Sequence, residues 1–227
     1  MGNLCIIPAR GGSKRIPRKN IRPFLGKPII AYSIHAAIAS RLFDHVMVST
    51  DDLEIAEMAR VLGAQVPFIR STSNASDYAT LSDVIEEVKE SYKRKNVSFE
   101  YICCLLPTAP FVNSSLLEMA YKKLINSEAD SIRPIVRYSY PIQRSLKMSD
   151  DGYIELVWPD NYKARSQDLE TRFHDSGQFY WMKSDSGLLG SKKLGLEIPE
   201  SLTQDIDSLE DWKLAEMKYK IFTQQDP

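Results

Sequence analysis

Apolar and polar positions follow two alternating periods through the first 135 residues of the chain. Short apolar runs with strand character occupy residues 4–7, 46–50, 66–70, 101–106 and 130–138. Between these runs, apolar side chains return every three or four positions, which predicts amphipathic helices at residues 30–38, 55–62, 81–92 and 114–125. Strands that alternate with helices in this way are typical of an α/β fold, with a mostly parallel sheet flanked by helices.

The ends of several helices also have sequence signals. Gly63 is placed to end the second helix. Ser115 and Glu118 have the spacing of a capping box at the start of the fourth helix. A further strand is predicted at residues 177–182 (GQFYWM), and a closing helix at residues 209–222 with Ser208 as its N-cap.

The alternation stops at residues 138–172, a stretch rich in Tyr, Pro, Ser and charged residues. A long segment without a clear period inside a compact domain usually forms a lid, a binding loop or an oligomer contact. We therefore expect one domain over residues 1–227, in which residues 138–172 form an extension that contributes to dimerisation or to the substrate site.

Composition places the chain among globular proteins and bears on its location. The 227 residues are 43% apolar and 26% charged, and the net charge is −1. The one apolar run near the N-terminus, residues 4–7, is too short for a signal peptide or a membrane span, so we expect a cytoplasmic protein with no membrane partner. Cys5, Cys103 and Cys104 lie within predicted strands and are interpreted as core residues rather than as redox or metal-binding groups.

The first loop has an unusual concentration of positive charge. Six basic residues surround the glycine pair Gly11 and Gly12 in the segment ARGGSKRIPRKNIR, and no acidic residue precedes Asp44. The loop follows a predicted buried strand, and open α/β sheets bind ligands at the carboxyl ends of their strands. The glycines would let backbone N–H groups turn toward an anion, so the loop predicts a polyphosphate site with a locally uncompensated positive field.

Other interpretations of this loop are possible from the residues alone. The segment matches neither GxxxxGK[ST] nor GxGxxG, which argues against a P-loop NTPase or a dinucleotide-binding site. A solvated basic turn or a nucleic-acid patch would also be basic, and a nucleic-acid site would give binding that depends steeply on salt. We expect no nucleic-acid partner, because the chain as a whole is not basic.

Two acidic pairs are candidates for chemistry. Asp205 and Asp207 in QDIDS are two positions apart, so on an extended backbone both carboxylates would point to one side and could bind one hard cation such as Mg²⁺. The alternative is that Asp207 or Ser208 caps the closing helix. Asp51 and Asp52 follow the second strand, and here capping of the next helix is the preferred interpretation over a catalytic role.

Read as a pattern, IPARGGSKRIPRKN resembles the signature loop of the nonulosonic (sialic-type) acid cytidylyltransferases, which join CMP from CTP to an acidic sugar. The resemblance continues in order through GKPIIAYSI, VMVSTDD, FIRSTSNASDYAT, LLPTAPFV and DIDSLEDW. It implies a Rossmann-like fold of the nucleotide-diphospho-sugar transferase type, CTP and a sugar acid as substrates, Mg²⁺ as cofactor and a homodimer. The catalytic residues it implies are Arg10, Lys19, Asp205 and Asp207, of which Asp205 and Asp207 would also be the metal ligands.

The resemblance also implies a nucleotide site. Its residues would be Ala9, Arg10, Gly11, Gly12, Ser13, Lys19, Asn20, Arg70, Asp77 and Thr80. Arg10, Lys19 and the backbone of residues 11–13 would hold the triphosphate, Asn20 would contact the nucleoside, and Arg70 falls at the position used for the cytosine base. Some members have a serine near the base, whereas this chain has Thr80 and Leu81, which leaves the base contacts open in detail.

The implied sugar site shows which subgroup the chain resembles most. Its residues would be Pro107, Thr108, Arg165, His174, Asp175 and Gln178. Arg165 would bind the substrate carboxylate or the phosphates. The HDSGQFYW segment looks like that of the pseudaminic acid cytidylyltransferases rather than the RPNGAIY form of the sialic acid enzymes. Leu106 also replaces a glutamine that the sialic acid enzymes use to contact the sugar, which favours the same subgroup.

The sequence leaves several alternatives open. The sugar could be sialic, legionaminic or 3-deoxy-manno-octulosonic acid, and the group that deprotonates its hydroxyl could be a metal-bound hydroxide or Asp175. Without the resemblance, His174 would be interpreted as an ordinary strand-end histidine. A non-catalytic nucleotide-binding protein on the same fold is the alternative from another functional class.

Overall fold

The computed structural model describes residues 2–224, which form five α-helices and eleven strands. The helices are α1 (Ile29–Ser40), α2 (Leu53–Val61), α3 (Leu81–Lys93), α4 (Ser114–Ile125) and α5 (Leu209–Gln224). The strands are β1 (Gly2–Pro8), β2 (Pro23–Phe24), β3 (Lys27–Pro28), β4 (His45–Ser49), β5 (Phe99–Leu105), β6 (Ser131–Arg137), β7 (Leu146–Met148), β8 (Ile154–Leu156), β9 (Phe173–Asp175), β10 (Phe179–Lys183) and β11 (Lys193–Glu197). None of the helices within residues 2–224 has the length and apolar character needed to cross a membrane.

Seven of the strands form one mixed sheet. Its order is β11-β6-β10-β5-β1-β4, and β9 pairs with β6 in addition. The pairs β1–β4, β1–β5 and β6–β11 are parallel, whereas β10 runs antiparallel to both β5 and β6, and β9 antiparallel to β6. The predicted α/β class with a largely parallel sheet and flanking helices is therefore confirmed.

The core lies on both faces of this sheet, as the alternation along β1 shows. Cys5 and Ile7 join one fully buried cluster with residues of α1 and α4, while Leu4 and Ile6 join a second cluster with residues of α3. Alternate side chains of a strand point to opposite faces, so residues 4–7 of β1 are all apolar because both faces of the sheet are covered there. Burial of this strand fixes the position at which the chain leaves the sheet after Pro8.

The three cysteines are free thiols within these strands, and each is fully buried. Burial raises the pKa of Cys104 to about 12. A thiol that stays protonated is neither a nucleophile nor a good metal ligand. The interpretation of the cysteines as core residues is confirmed.

Two local predictions are wrong. Residues 66–70 do not form a strand: near them only an isolated bridge joins Gln65 to Met47 of β4, and Pro67 has no N–H with which to extend the ladder. Helix α4 is capped by Asn113, whose side chain accepts from the Leu116 backbone N–H at 2.9 Å, rather than by a box between Ser115 and Glu118.

Two other helix ends are as predicted. Gly63 follows α2 with φ +92°, a left-handed conformation that favours glycine. Ser208 and Asp211 form reciprocal hydrogen bonds at the start of α5: Ser208 N–H donates to the Asp211 carboxylate at 2.8 Å, and Asp211 N–H donates to Ser208 Oγ at 3.2 Å.

Residues 138–172 are more ordered than their composition suggests. They contain the hairpin β7–β8 and three short 3₁₀ turns, and Tyr138 N–H donates to the Arg172 carbonyl where the segment leaves and rejoins the domain. The segment therefore leaves and rejoins the domain at neighbouring positions, and its β7–β8 strands form a solvent-exposed, projecting hairpin.

Candidate active site

A polar pocket of about 310 Å³ lies at the carboxyl ends of β1 and β5. It is enclosed by the loop after β1, the segment before α3 and the turn after β5. Its lining residues are Pro8, Arg10, Ser13, Lys14, Arg15, Ile16, Lys19, Asn20, Arg70, Asn74, Ser76, Asp77, Ala79, Thr80, Leu81, Val84, Leu106, Pro107 and Thr108. The pocket lies where an open α/β sheet is expected to bind its ligand.

Half of the residues predicted for the site line this pocket. Among the predicted residues, those that do so are Arg10, Ser13, Lys19, Asn20, Arg70, Asp77, Thr80, Pro107 and Thr108. Sequence reasoning did not select Asn74 and Ser76, although both lie in the stretch FIRSTSNASDYAT between the selected residues Arg70 and Asp77. Lys14 and Arg15 were recognised only as part of the basic segment, although both face the pocket.

The backbone of the basic loop is held by the protein itself. Ala9 N–H donates to the Ser49 carbonyl at 2.9 Å, Gly11 N–H to Asp51 Oδ1 at 3.0 Å, and Ser13 N–H to the Gly11 carbonyl at 3.0 Å. In this structure two of the three N–H groups of residues 11–13 are therefore paired within the protein, and a bound anion would compete for them.

Gly11 is required for a close approach rather than for a left-handed turn. A Cβ at this position would lie 2.7 Å from the Asp52 carboxylate oxygen Oδ2, which real Cβ atoms essentially never do. A Cβ at Gly12 would meet no heavy atom within 4 Å. The two glycines thus have different roles, and only the first is demanded by packing.

The positive charge of the loop is compensated by acids from distant parts of the chain, which corrects the expectation of an unbalanced field. The ion pairs are Arg10–Asp77 at 2.8 Å, Lys14–Asp77, Arg15–Asp207 at 2.8 Å, Lys19–Asp207 at 3.5 Å, Arg18–Asp52 and Arg18–Glu54. Hydrogen bonds from Lys14 and Arg10 lower the pKa of Asp77. The pairs are partly exposed, so each is weak, and a polyanion would compete with the carboxylates for these cations.

Asp52 has the structural role that the sequence favoured. Its carboxylate caps α2 by accepting from Ile55 N–H at 3.0 Å, and it accepts from the Arg18 guanidinium at 3.1 Å. The hydrogen bond from Arg18 is the largest cause of a lowered pKa for Asp52. Asp51 binds the loop through Gly11, so this acidic pair anchors the loop to the start of α2.

Replacing Asp52 with alanine should lower the free energy of unfolding at pH 7 by about 1–2 kcal/mol, because a helix cap and a partly screened ion pair are lost. Since the folded-state pKa is depressed, the ionised carboxylate stabilises the wild type above the unfolded-state pKa of about 4, and that contribution disappears as pH falls through the folded-state value. Urea unfolding from pH 3 to pH 7 checks this: the gap between variant and wild type should narrow at acid pH, and a constant gap would contradict the role of the charge.

Two buried polar side chains form the floor of the pocket. The Asn20 amide donates to the Arg10 carbonyl at 2.9 Å, and Arg70 donates from Nε to Ser49 Oγ at 2.9 Å. Arg70 is 6% exposed, and this burial lowers its pKa, although a guanidinium stays charged at neutral pH. Among residues 2–224 no carboxylate forms an ion pair with Arg70, and a buried charge of this kind suits a polar ligand group that enters the pocket.

Thr80 marks the start of α3 beside the pocket. Its Oγ1 accepts from Asp83 N–H at 3.2 Å, and the Asp83 carboxylate accepts from Thr80 N–H at 2.8 Å, which completes a capping box. The first turn of this helix is therefore fixed at the pocket wall.

The acidic segment near the C-terminus reaches the basic loop. Lys19 Nζ donates to the Ile206 carbonyl at 2.6 Å, and Ile206 is 1% exposed between the exposed Asp205 and the half-exposed Asp207. This alternation is the one expected of an extended segment, so both carboxylates lie on the side opposite Ile206. Ser208 caps α5, which leaves the carboxylate of Asp207 to pair with the loop.

Asp205 and Asp207 suit Mg²⁺ as part of a coordination shell that the substrate completes. No cluster of three or more His, Cys, Asp or Glu residues able to hold a metal occurs among the residues that the structure describes. Mg²⁺ in phosphate-transfer sites is commonly held by one or two carboxylates together with water and the phosphates of the substrate. Asp205 and Asp207 can supply that part of the shell, and Asp207 pairs with Arg15 and Lys19 of the loop where the phosphates are expected.

The residues predicted for the sugar, apart from Pro107 and Thr108, lie outside this pocket. Arg165 is exposed and pairs with Asp168 at 2.7 Å. His174 on β9 packs against Tyr138, with 5.0 Å between ring centroids. Gln178 is 2% exposed, and its Nε2 donates to the Leu202 carbonyl at 2.7 Å.

Asp175 belongs to a polar cluster on the neighbouring strands. It pairs with Arg133 at 2.9 Å, and the Arg133 guanidinium lies 4.9 Å from the ring centroid of Tyr180. Burial, followed by the Asp175 carboxylate, raises the pKa of Tyr180. Tyr180 lies opposite Cys104 in the β5–β10 pair, and Leu106 N–H donates to the Gln178 carbonyl. Because Leu106 lines the pocket, β10 links this polar cluster to the pocket wall.

Comparisons with known proteins identify the family to which the chain belongs. The model of the family described as "Cytidylyltransferase" matches residues 4–167. The chain is 40% identical to a pseudaminic acid cytidylyltransferase from Campylobacter jejuni, with 97% of each chain covered. It is 32% identical to a CMP-N,N′-diacetyllegionaminic acid synthase from Legionella pneumophila, with 94% of each chain covered.

A solved structure shares the fold at low identity. The structure of a CMP:2-keto-3-deoxy-manno-octonic acid synthetase complexed with CTP superimposes with a TM-score of 0.71 at 16% identity, over 99% of this chain and 100% of that one. The family model covers well over half of the residues, and the first relative is similar along almost the whole length. The chain therefore belongs to the cytidylyltransferase family.

Proposed function

We propose that this chain transfers CMP from CTP to the anomeric hydroxyl of pseudaminic acid and releases pyrophosphate. The observation that carries the reaction type is the meeting of the basic loop with the acidic segment, which the hydrogen bond from Lys19 to the Ile206 carbonyl joins across 187 positions of sequence. A cation of the pocket is thereby joined to the segment that carries both carboxylates, and Asp207 lies 3.5 Å from Lys19. The 40% identity to a pseudaminic acid cytidylyltransferase and the HDSGQFYW segment support the choice of sugar.

CTP would bind in the polar pocket with its phosphates against the loop. Arg10 and Lys19 would hold the triphosphate, assisted by Ala9, Gly11, Gly12 and Ser13 of the loop. Asn20, Arg70, Asp77 and Thr80 would contact the nucleoside. Because Arg10 and Lys19 are paired with Asp77 and Asp207 in this structure, we infer that the phosphates displace these contacts on binding.

Asp205 and Asp207 would hold Mg²⁺ together with the phosphates. When bound, the cation would neutralise charge on the α-phosphate and on the departing pyrophosphate. Once Arg15 and Lys19 bind the phosphates instead of Asp207, the carboxylate of Asp207 is free to bind the cation. The protein then contributes mainly alignment and fixed positive charge, which are the principal means of catalysis in phosphoryl-type transfers.

The sugar acid would lie between the turn after β5 and the strands beyond it. Pro107 and Thr108 line the pocket, whereas His174 and Asp175 lie on β9 and Gln178 immediately precedes β10. Arg165 would have to leave its partner Asp168 to bind the sugar carboxylate. The acceptor of the hydroxyl proton is either Asp175 or a metal-bound hydroxide, and Asp175 would act only after release from Arg133.

The projecting hairpin supports a homodimer as part of this proposal. Leu146, Met148, Ile154 and Leu156 share one face of β7–β8 because they pair directly across the two strands, while Lys147 and Glu155 pair on the other face. Met148 is 72% and Ile154 is 63% exposed in the single chain. An apolar face presented to solvent by a two-stranded hairpin is suited to a second copy of the chain.

Replacing Ile154 with aspartate should therefore convert a dimer into a monomer, because a charge would be buried on the apolar face. Size-exclusion chromatography with light scattering checks this, with Lys147→Ala on the opposite face as the matched control. A monomeric wild type at working concentration would remove the dimer from the proposal.

The reaction is tested by mass spectrometry of mixtures that contain CTP, Mg²⁺ and pseudaminic acid. A CMP-sugar product that requires all three components is expected. A stoichiometric nucleotide complex without any product would instead support the non-catalytic binding protein.

A further inference from the structure

The segment that leads into the acidic pair is held from several directions. Lys218 on α5 is half-buried, and its Nζ donates to three acceptors: the Glu200 carbonyl at 3.3 Å, the Thr203 carbonyl at 3.0 Å and Gln204 Oε1 at 3.0 Å. These acceptors all belong to the stretch immediately before Asp205. Within residues 2–224, Lys218 takes part in no ion pair with a carboxylate, so its charge is directed at backbone and amide oxygens.

A second set of contacts ties the same segment to the sheet. Thr203, which is 5% exposed, donates from Oγ1 to the Ser176 carbonyl at 3.0 Å. The Leu202 carbonyl accepts from Gln178 Nε2 at 2.7 Å. The segment is thus fixed between α5 on one side and the turn between β9 and β10 on the other, and Lys19 holds its far end through the Ile206 carbonyl.

These contacts matter because the segment has no regular secondary structure of its own between Thr203 and Asp207. Extended backbone without a ladder keeps its shape only through such side-chain bonds. Both carboxylates face the same side only while Ile206 remains buried, and Mg²⁺ tolerates little departure from octahedral geometry. A shift of the segment would therefore act directly on the metal-binding carboxylates.

We propose that Lys218 is a positioning residue that sets the placement of Asp205 and Asp207, and through them the affinity for Mg²⁺. This inference rests on the proposed function in that it takes these aspartates as the metal ligands. Lys218 itself lines neither the pocket nor the sugar face, and it acts by clamping three oxygens of the preceding segment.

The test compares Lys218→Met, which keeps the aliphatic stem but removes the three donors, with Lys213→Met. Lys213 is an exposed lysine on the same helix and serves as the matched control. Hydrogen exchange followed by mass spectrometry should show faster exchange in residues 200–208 of Lys218→Met alone. The Mg²⁺ concentration for half-maximal rate should rise by about 10-fold, as for loss of a group that orients metal ligands, while KM for the sugar stays near the wild-type value.

A second variant, Thr203→Val, removes the bond to Ser176 with little change of volume. Like Lys218→Met, it should raise the Mg²⁺ requirement, but it removes no charge. A rise in both variants would therefore show that the hydrogen bonds to the segment, rather than the charge of Lys218, cause the effect. An unchanged Mg²⁺ requirement in both variants would overturn the proposal, as would exchange that rises evenly across the whole chain of Lys218→Met.

Failure of the proposed function would be distinguishable from failure of this inference. If the wild type forms no CMP-sugar, Mn²⁺ binding replaces the kinetic measurement. The loss of the electron paramagnetic resonance signal of free Mn²⁺ then measures how much of the ion is bound. Weaker Mn²⁺ binding by Lys218→Met than by Lys213→Met would then support the positioning role, and equal binding would overturn it.

Discussion

Replacing Lys19 with alanine should lower kcat by about 10²–10³-fold, the loss observed when one preorganised donor to a transition state is removed. Lys19 lines the pocket, donates to the Ile206 carbonyl at 2.6 Å and lies 3.5 Å from Asp207. No other residue of the described part of the loop bonds both the acidic segment's backbone and its carboxylate. The variant loses a charge for the phosphates and also the link that holds the acidic segment against the loop.

Steady-state pyrophosphate release with varied CTP checks this, with Lys27→Ala as the control. Lys27 is an exposed lysine of the β2–β3 hairpin and does not line this pocket. The fall should appear mostly in kcat, because the interaction strengthens as charge develops on the leaving group. A variant that keeps wild-type turnover would remove Lys19 from the phosphate site.

Replacing Asp207 with asparagine should raise the Mg²⁺ concentration for half-maximal rate by about 10- to 100-fold. The amide is nearly the same size, but it lacks the negative charge that a hard cation requires. The substitution also frees Arg15 and Lys19 from their carboxylate partner, so the KM for CTP should fall or stay constant while the metal requirement rises. A higher Mg²⁺ requirement without a higher KM for CTP distinguishes loss of a metal ligand from general damage to the pocket.

The matched control for this variant is Asp150→Asn, which removes the same charge in the turn of the β7–β8 hairpin. Titration of Mg²⁺ at saturating CTP and sugar provides the measurement. An unchanged metal requirement in Asp207→Asn, with normal turnover, would show that this carboxylate does not bind the metal.

Much of the fold was predictable because its signals are local. The periodicity of the helices, the buried run of β1 and the left-handed Gly63 each depend on a few neighbouring residues. Residues 66–70 show the limit of such reasoning: an apolar run looked like a strand, but Pro67 cannot extend a ladder and the segment leaves the sheet after one bridge. The antiparallel insertion of β10 between β5 and β6 likewise depends on tertiary pairing that no local pattern encodes.

The candidate site was predictable to a similar degree. The loop after β1 and the alternation around Ile206 follow from strand geometry, so their place at the pocket could be anticipated. The compensation of Arg10 and Lys14 by Asp77 could not, because the partners come from a distant irregular segment. The three hydrogen bonds of Lys218 could not be predicted either, because their acceptors also lie in an irregular segment and no sequence pattern distinguishes this lysine of α5.

In the proposed reaction, the pocket supports transfer of CMP from CTP to pseudaminic acid with Mg²⁺. The most direct test measures pyrophosphate release with pseudaminic acid and, in parallel, with N-acetylneuraminic acid. Release with pseudaminic acid alone is the predicted result. Release with N-acetylneuraminic acid alone would keep the reaction and contradict the choice of sugar, and release with neither would contradict the account as a whole.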